Sequence, residues 1–151
     1  MPSSIVPSYL YTFFALMLVG TILIGTFNSF AVSLRRVPEE NMLKNILDYV
    51  AAESLELINC VEASSEATAE AVLNIPSSIN HRQYWLRLGI DSEYVFIEAG
   101  FGAAPAEARS KIYLLANVFA YGEVIGGYGK ALLICRRNAS GIYLSLGYLE
   151  G

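Results

Sequence analysis

The sequence predicts an α+β chain, in which an N-terminal transmembrane helix continues into an amphipathic helix and then into a small antiparallel β-sheet or sandwich head. Three observations carry this prediction. Residues 1–34 contain no Asp, Glu, Lys, Arg or His, although the 151-residue chain holds 14 acidic and 10 basic side chains. Apolar residues from Leu43 to Val61 recur at alternating spacings of four and three, the period of a helix with one buried face. Beyond Pro76, short apolar-polar alternations are separated by Gly, Asn, Asp and Ser, the pattern of strands joined by turns. The chain therefore divides into residues 1–36, 37–72 and 73–151, long enough for one domain and one membrane span.

The first element is the charge-free run from Tyr9 to Leu34. At about 1.5 Å per residue, roughly 20 residues cross a hydrocarbon core of about 30 Å, so this run is long enough to span. Tyr9 and Tyr11 at one end, and Arg35 and Arg36 at the other, stand where interfacial anchors belong. Pro2 and Pro7 are expected to keep the extreme N-terminus from joining the helix as an unbroken rod. No basic residue precedes the run and it is longer than a signal-peptide core, so an uncleaved anchor is expected. Leu16, Gly20, Leu23, Gly25 and Phe27 form the candidate assembly surface, with Thr21, Thr26 and Ser29 adding positions where another helix can approach closely.

Pro38, Glu39 and Glu40 then mark a helix start, with acids at the positive end of the dipole. Pro38 either kinks one long rod or separates two helices. Leu43, Leu47, Val50, Ser54, Leu57 and Val61, widened by Ile46 and Ile58, make the buried stripe; Glu39, Lys44, Asp48, Glu53, Glu56 and Glu62 are assigned to other faces. Residues 63–71, all Ala, Ser, Thr or Glu, suit a frayed helix end or a surface linker.

Strands are expected at residues 83–88 and 93–100, paired as a hairpin with Tyr84, Leu86 and Leu88 on one face. Residues 111–121 make a third strand candidate with a helical alternative, 128–136 a fourth, and 142–146 a fifth after the turn signal at Asn138. Gly122, Gly126, Gly127 and Gly129 are read as loop punctuation.

Little in the sequence suggests catalysis. His81 is the only histidine, so imidazole-based metal clusters have no ligands, and an exposed loop histidine is the favoured reading. The glycine-rich run from Gly122 to Lys130 lacks the hydroxyl and spacing of a phosphate-binding loop. The bases are scattered and the net charge is -4, so nucleic acid has no electrostatic footprint. No enzyme activity, cofactor, metal or small-molecule substrate is expected. Cys60 and Cys135 are either a disulfide between helix and sheet or two small buried hydrophobes. Asn138-Ala139-Ser140 matches a glycosylation acceptor, with a plain turn as the favoured reading.

A hydrophobic helix at residues 9–34, its amphipathic continuation at 38–61 and a β head at 83–146 resemble archaeal type IV pilin-like, or pseudopilin-like, single-pass membrane proteins. The chain departs from that pattern in having no basic leader before the hydrophobic run and no acid near its start. The resemblance implies a structural or assembly subunit of a pilus-like filament or secretion apparatus. Its partners would be copies of itself or related subunits, joined through the N-terminal helix. A membrane-tethered binding module is the competing expectation, motivated by Trp85 and ten tyrosines. Arg35, Arg36 and Lys44 after the span favour a cytoplasmic head by the positive-inside rule, whereas the resemblance places the head outside, in the membrane-bound chain or in an extracellular filament. The outward arrangement is the one we expect.

Overall fold

A computed structural model describes residues 5–64, 68–103, 105–114 and 116–150; Pro2, residues 65–67 of the expected linker and Leu115 lie outside the described residues. The order is one helix and seven strands: α1 (Ile5–Ala63), β1 (Thr68–Val72), β2 (Tyr84–Asp91), β3 (Tyr94–Phe101), β4 (Ser110–Leu114), β5 (Phe119–Ile125), β6 (Ala131–Asn138) and β7 (Gly141–Tyr148). Helical structure runs through Pro38, and the chain divides into two compact units just after it. Pro7 is part of the helix, whereas residues 1–4, on which the expectation for the extreme N-terminus falls, lie outside the described residues.

In the first unit the described apolar side chains are almost all exposed, and the apolar window, of mean hydropathy 2.0, has none of its residues buried. This helix is long and apolar enough to cross a membrane.

The second unit has its own core. Leu43, Ile46, Leu47, Val50, Leu57, Ile58 and Val61 are buried together with one face of the sheet, as their periodicity predicts. Ser54 sits among them because its hydroxyl donates to the Val50 carbonyl at 2.7 Å, which satisfies a polar atom that burial removes from water. The sheet contributes Tyr84, Leu86 and Leu88 from β2, Val95, Ile97 and Ala99 from β3, and Leu133, Cys135, Leu144 and Leu146 from β6 and β7.

The strand order is β1-β6-β7-β5-β2-β3-β4, a single sheet, so the sandwich alternative is not realised. All neighbours are antiparallel except β5 and β7. The expected β2-β3 hairpin forms, but with a tighter turn: Asp91 pairs with Tyr94, and Ser92 takes a positive φ of 58°. The expected strand at 111–121 is in fact two. Its first part is the edge strand β4 against β3, and its second is β5, on the far side of β2. A further strand, β1, occupies part of the expected linker and pairs with β6 from Thr68↔Arg136 to Val72↔Leu132. Gly122 lies within β5 and not in a loop. Its φ is +119°, and a Cβ there would sit 2.1 Å from the Leu146 carbonyl oxygen, so only glycine fits.

The other face of the sheet is organised by charge. The register aligns Glu123 with Arg87, Arg87 with Glu98, and Glu98 with Lys111, giving alternating signs across four strands. Within this row the Arg87 guanidinium is bonded directly to Glu98. Trp85 is fully buried on this face, against Gly100 and the backbone near Glu107.

Glu39 departs from its assignment to the solvent face. It is buried, accepting from Asn80 Nδ2 at 2.9 Å and from Arg82 Nη1 at 2.7 Å, while the Arg82 guanidinium lies 4.2 Å over the Phe101 ring. Asn80 and His81 adopt left-handed φ values of 48° and 63° to make this turn. Arg82→Ala leaves the Glu39 carboxylate buried without its cation and is expected to cost about 2 kcal/mol. Denaturant unfolding of the full chain in detergent checks this, with exposed Asp48→Ala as a control expected to stay within about 0.5 kcal/mol.

Burial also raises the Tyr84 phenol from 10.0 to about 12, and its hydroxyl donates to the Pro76 carbonyl. Because the folded-state value is raised, the stability tied to the neutral phenol is complete below pH 10.0 and is lost as the pH climbs toward about 12. Unfolding free energies measured across that window should fall more steeply for the native chain than for Tyr84→Phe.

Candidate functional site

The candidate site is the surface of the first unit from Tyr9 to Leu34, a stretch of helix without Asp, Glu, Lys, Arg or His. Four hydroxyls along the segment are turned back onto their own helix: Thr12 donates to Ser8, Thr21 to Met17, Thr26 to Ile22 and Ser33 to Ser29, each to a carbonyl four residues earlier, at 2.8–3.0 Å. The helix thereby satisfies its backbone and these hydroxyls internally, as an apolar environment demands.

The five residues expected to form an assembly surface are all on this helix, but they do not share one face. At about 100° per residue, Leu16, Gly20, Leu23 and Phe27 fall within about 60° of one another, whereas Gly25 points about 180° from Leu16. Phe27 is 75% exposed and Leu16 67%. Around Gly20 and Gly25 a Cβ would meet nothing within 4 Å, so both positions are open for a second helix to approach. Gly25 shares its side with Thr21, Asn28 and Val32.

Asn28 went unremarked in the sequence reading. It is exposed within the charge-free run, and its carboxamide has no hydrogen-bond partner among the described residues. The available signal was simple: it is the one carboxamide between Tyr9 and Leu34. A shallow notch on the same helix is lined by Leu23, Ile24, Phe27, Asn28 and Ala31.

In the second unit the remaining candidates are separate. Cys60 is exposed and Cys135 is buried, and both are free thiols, so the proposed disulfide is not formed. The physical reason is their facing: Cys135 points from β6 into the core, whereas Cys60 lies outside the buried stripe of α1. Burial, and to a lesser degree the charge of Glu62, pushes the Cys135 thiol above its ordinary range. Asn138 is exposed at the two-residue β6-β7 turn, where its side-chain oxygen accepts the Ser140 N–H at 2.8 Å. Among the described residues no group of three or more His, Cys, Asp and Glu side chains could hold a metal.

No protein-family model, curated protein or solved structure matches the chain.

The contrast between the thiols has a direct readout. A thiol reagent applied to the folded chain should modify Cys60 alone, with Cys135 reacting only after denaturation; mass spectrometry of the labelled peptides checks the assignment.

Proposed function

We propose that this chain is a structural or assembly subunit of a pilus-like cell-surface filament or secretion apparatus, polymerising through the apolar segment of α1. One observation carries the reading: large apolar side chains from Val6 to Leu34 are exposed along a helix that is long and apolar enough to span a membrane. Such a segment is stable in lipid and equally stable in a bundle of like helices. Assembly can therefore exchange one apolar setting for the other at little cost. The partners are copies of the chain or related subunits. The head is extracytoplasmic, either at the membrane or on the outside of a filament.

A second reading is favoured by the outer face of the sheet. Phe119 and Tyr143 stack there at 4.9 Å, and Tyr121 beside them is 59% exposed. These rings suit a membrane-tethered module whose β domain holds a partner. Arg35 and Arg36 after the span would instead suit an accessory protein with its head in the cytoplasm.

Association of the full chain in lipid vesicles separates these readings. Under the assembly reading, oligomers form as the protein-to-lipid ratio rises, and replacing both Gly20 and Gly25 by Leu weakens them. A chain that stays monomeric at every ratio discards assembly through this segment and leaves the binding-module reading.

A further inference from the structure

Resting on the assembly reading, we infer that Asn28 is the polar contact that sets register between neighbouring copies of α1. Three features of the segment lead to this inference. The Thr12, Thr21, Thr26 and Ser33 hydroxyls are bonded within the helix, whereas the Asn28 carboxamide has no partner among the described residues. That carboxamide offers two donors and an acceptor with two lone pairs, and in an apolar setting each unmet group is costly.

Its position matters as much as its chemistry. Asn28 lies seven residues before Arg35, about 10 Å along the axis, and so falls inside the hydrocarbon when Arg35 reaches the interface. Leu18, Thr21, Gly25, Asn28 and Val32 follow at spacings of 3, 4, 3 and 4, the seam spacing along which two helices interlock. Gly25, one turn before Asn28, leaves the seam open where a neighbouring backbone must come close.

The occupant of that seam is a second copy of the chain. Copies inserted into a membrane by the same route share one orientation, so their helices pack parallel and like residues meet at like depth. A carboxamide is self-complementary: the N–H of one copy donates to the oxygen of the other, and the reverse bond satisfies the pair. A partner helix that presents only apolar side chains at that depth leaves Asn28 unmet. Along the rest of the seam the one polar side chain, Thr21, is bonded to the Met17 carbonyl of its own helix, so sliding costs little there; a single buried Asn penalises every slipped register.

The test uses the full chain labelled at Cys60 with donor and acceptor dyes and reconstituted into phosphatidylcholine vesicles, with energy transfer followed against the protein-to-lipid ratio. Asn28→Val, which keeps the segment apolar, should weaken association about tenfold, Asn28→Gln should retain most of it, and Val19→Ile, about 180° around the helix from Asn28, should change it little. Undiminished transfer in Asn28→Val, or an equal loss in Val19→Ile, overturns the Asn28 contact while leaving assembly itself standing. Absence of transfer in the native chain at every ratio overturns the assembly reading and this inference with it.

Discussion

Large apolar side chains from Val6 to Leu34 find no cover among the described residues of their own unit, and this constraint governs the first half of the molecule's chemistry. Fully covering one Leu, Ile, Val, Phe or Met side chain is worth about 1.5–3 kcal/mol. Exposing a run of them to water would cost more than the 5–15 kcal/mol margin on which an ordinary domain rests. Lipid, or a bundle of like helices, removes that cost, and the helix is long and apolar enough to span a membrane. Its backbone bonds are internal and its threonines return their hydroxyls to the preceding turn, so neither environment leaves those groups unsatisfied.

The second unit solves the opposite problem, holding many charges without burying any of them alone. Glu39 is gripped by Asn80 and Arg82, Glu98 by Arg87, and Lys111 lies 3.6 Å from Asp91 and 4.0 Å over the Phe96 ring. The row from Glu123 to Lys111 pairs opposite signs at every step across the sheet, where like charges placed opposite would destabilise. The Asn80-His81 turn accepts two left-handed residues to aim its donors at Glu39. Such strain persists only when the surroundings over-determine it, and here a buried carboxylate does so.

What was legible in the sequence had a period. The buried stripe of α1, from Leu43 to Val61, and the inward faces of β2 and β3 are repeats of local spacing, and local spacing is what a sequence displays. What was hidden depends on partners distant in the chain. Residues 111–121 contain no Gly or Pro, so nothing local announces that the chain leaves the sheet edge after β4 and re-enters beside β2. β1 is built largely of Ala, Thr and Glu and owes its strand state to pairing with β6, a neighbour some 60 positions away. Gly122 looked like loop punctuation because its requirement, close approach to the Leu146 carbonyl, comes from β7. Of the assembly surface, membership of the helix was legible; the separation of Gly25 from Leu16, Gly20, Leu23 and Phe27 emerges once helical phase is applied.

The location of the core explains how one helix can serve both units. Among the described residues, the buried cluster shared by α1 and the sheet begins at Leu43 and takes no side chain from before Pro38. Replacing lipid by protein around residues 6–34 therefore removes no contact from the core that folds the head. Pro38 stands at the division and, lacking an N–H, cannot make the bond to the Leu34 carbonyl that the helix would otherwise have there. Glu39, the next residue, is held by the head through Asn80 and Arg82. Under the proposed assembly reading, association and folding draw on different side chains of the same helix, and a chain so divided can change its apolar surroundings without paying again for its fold.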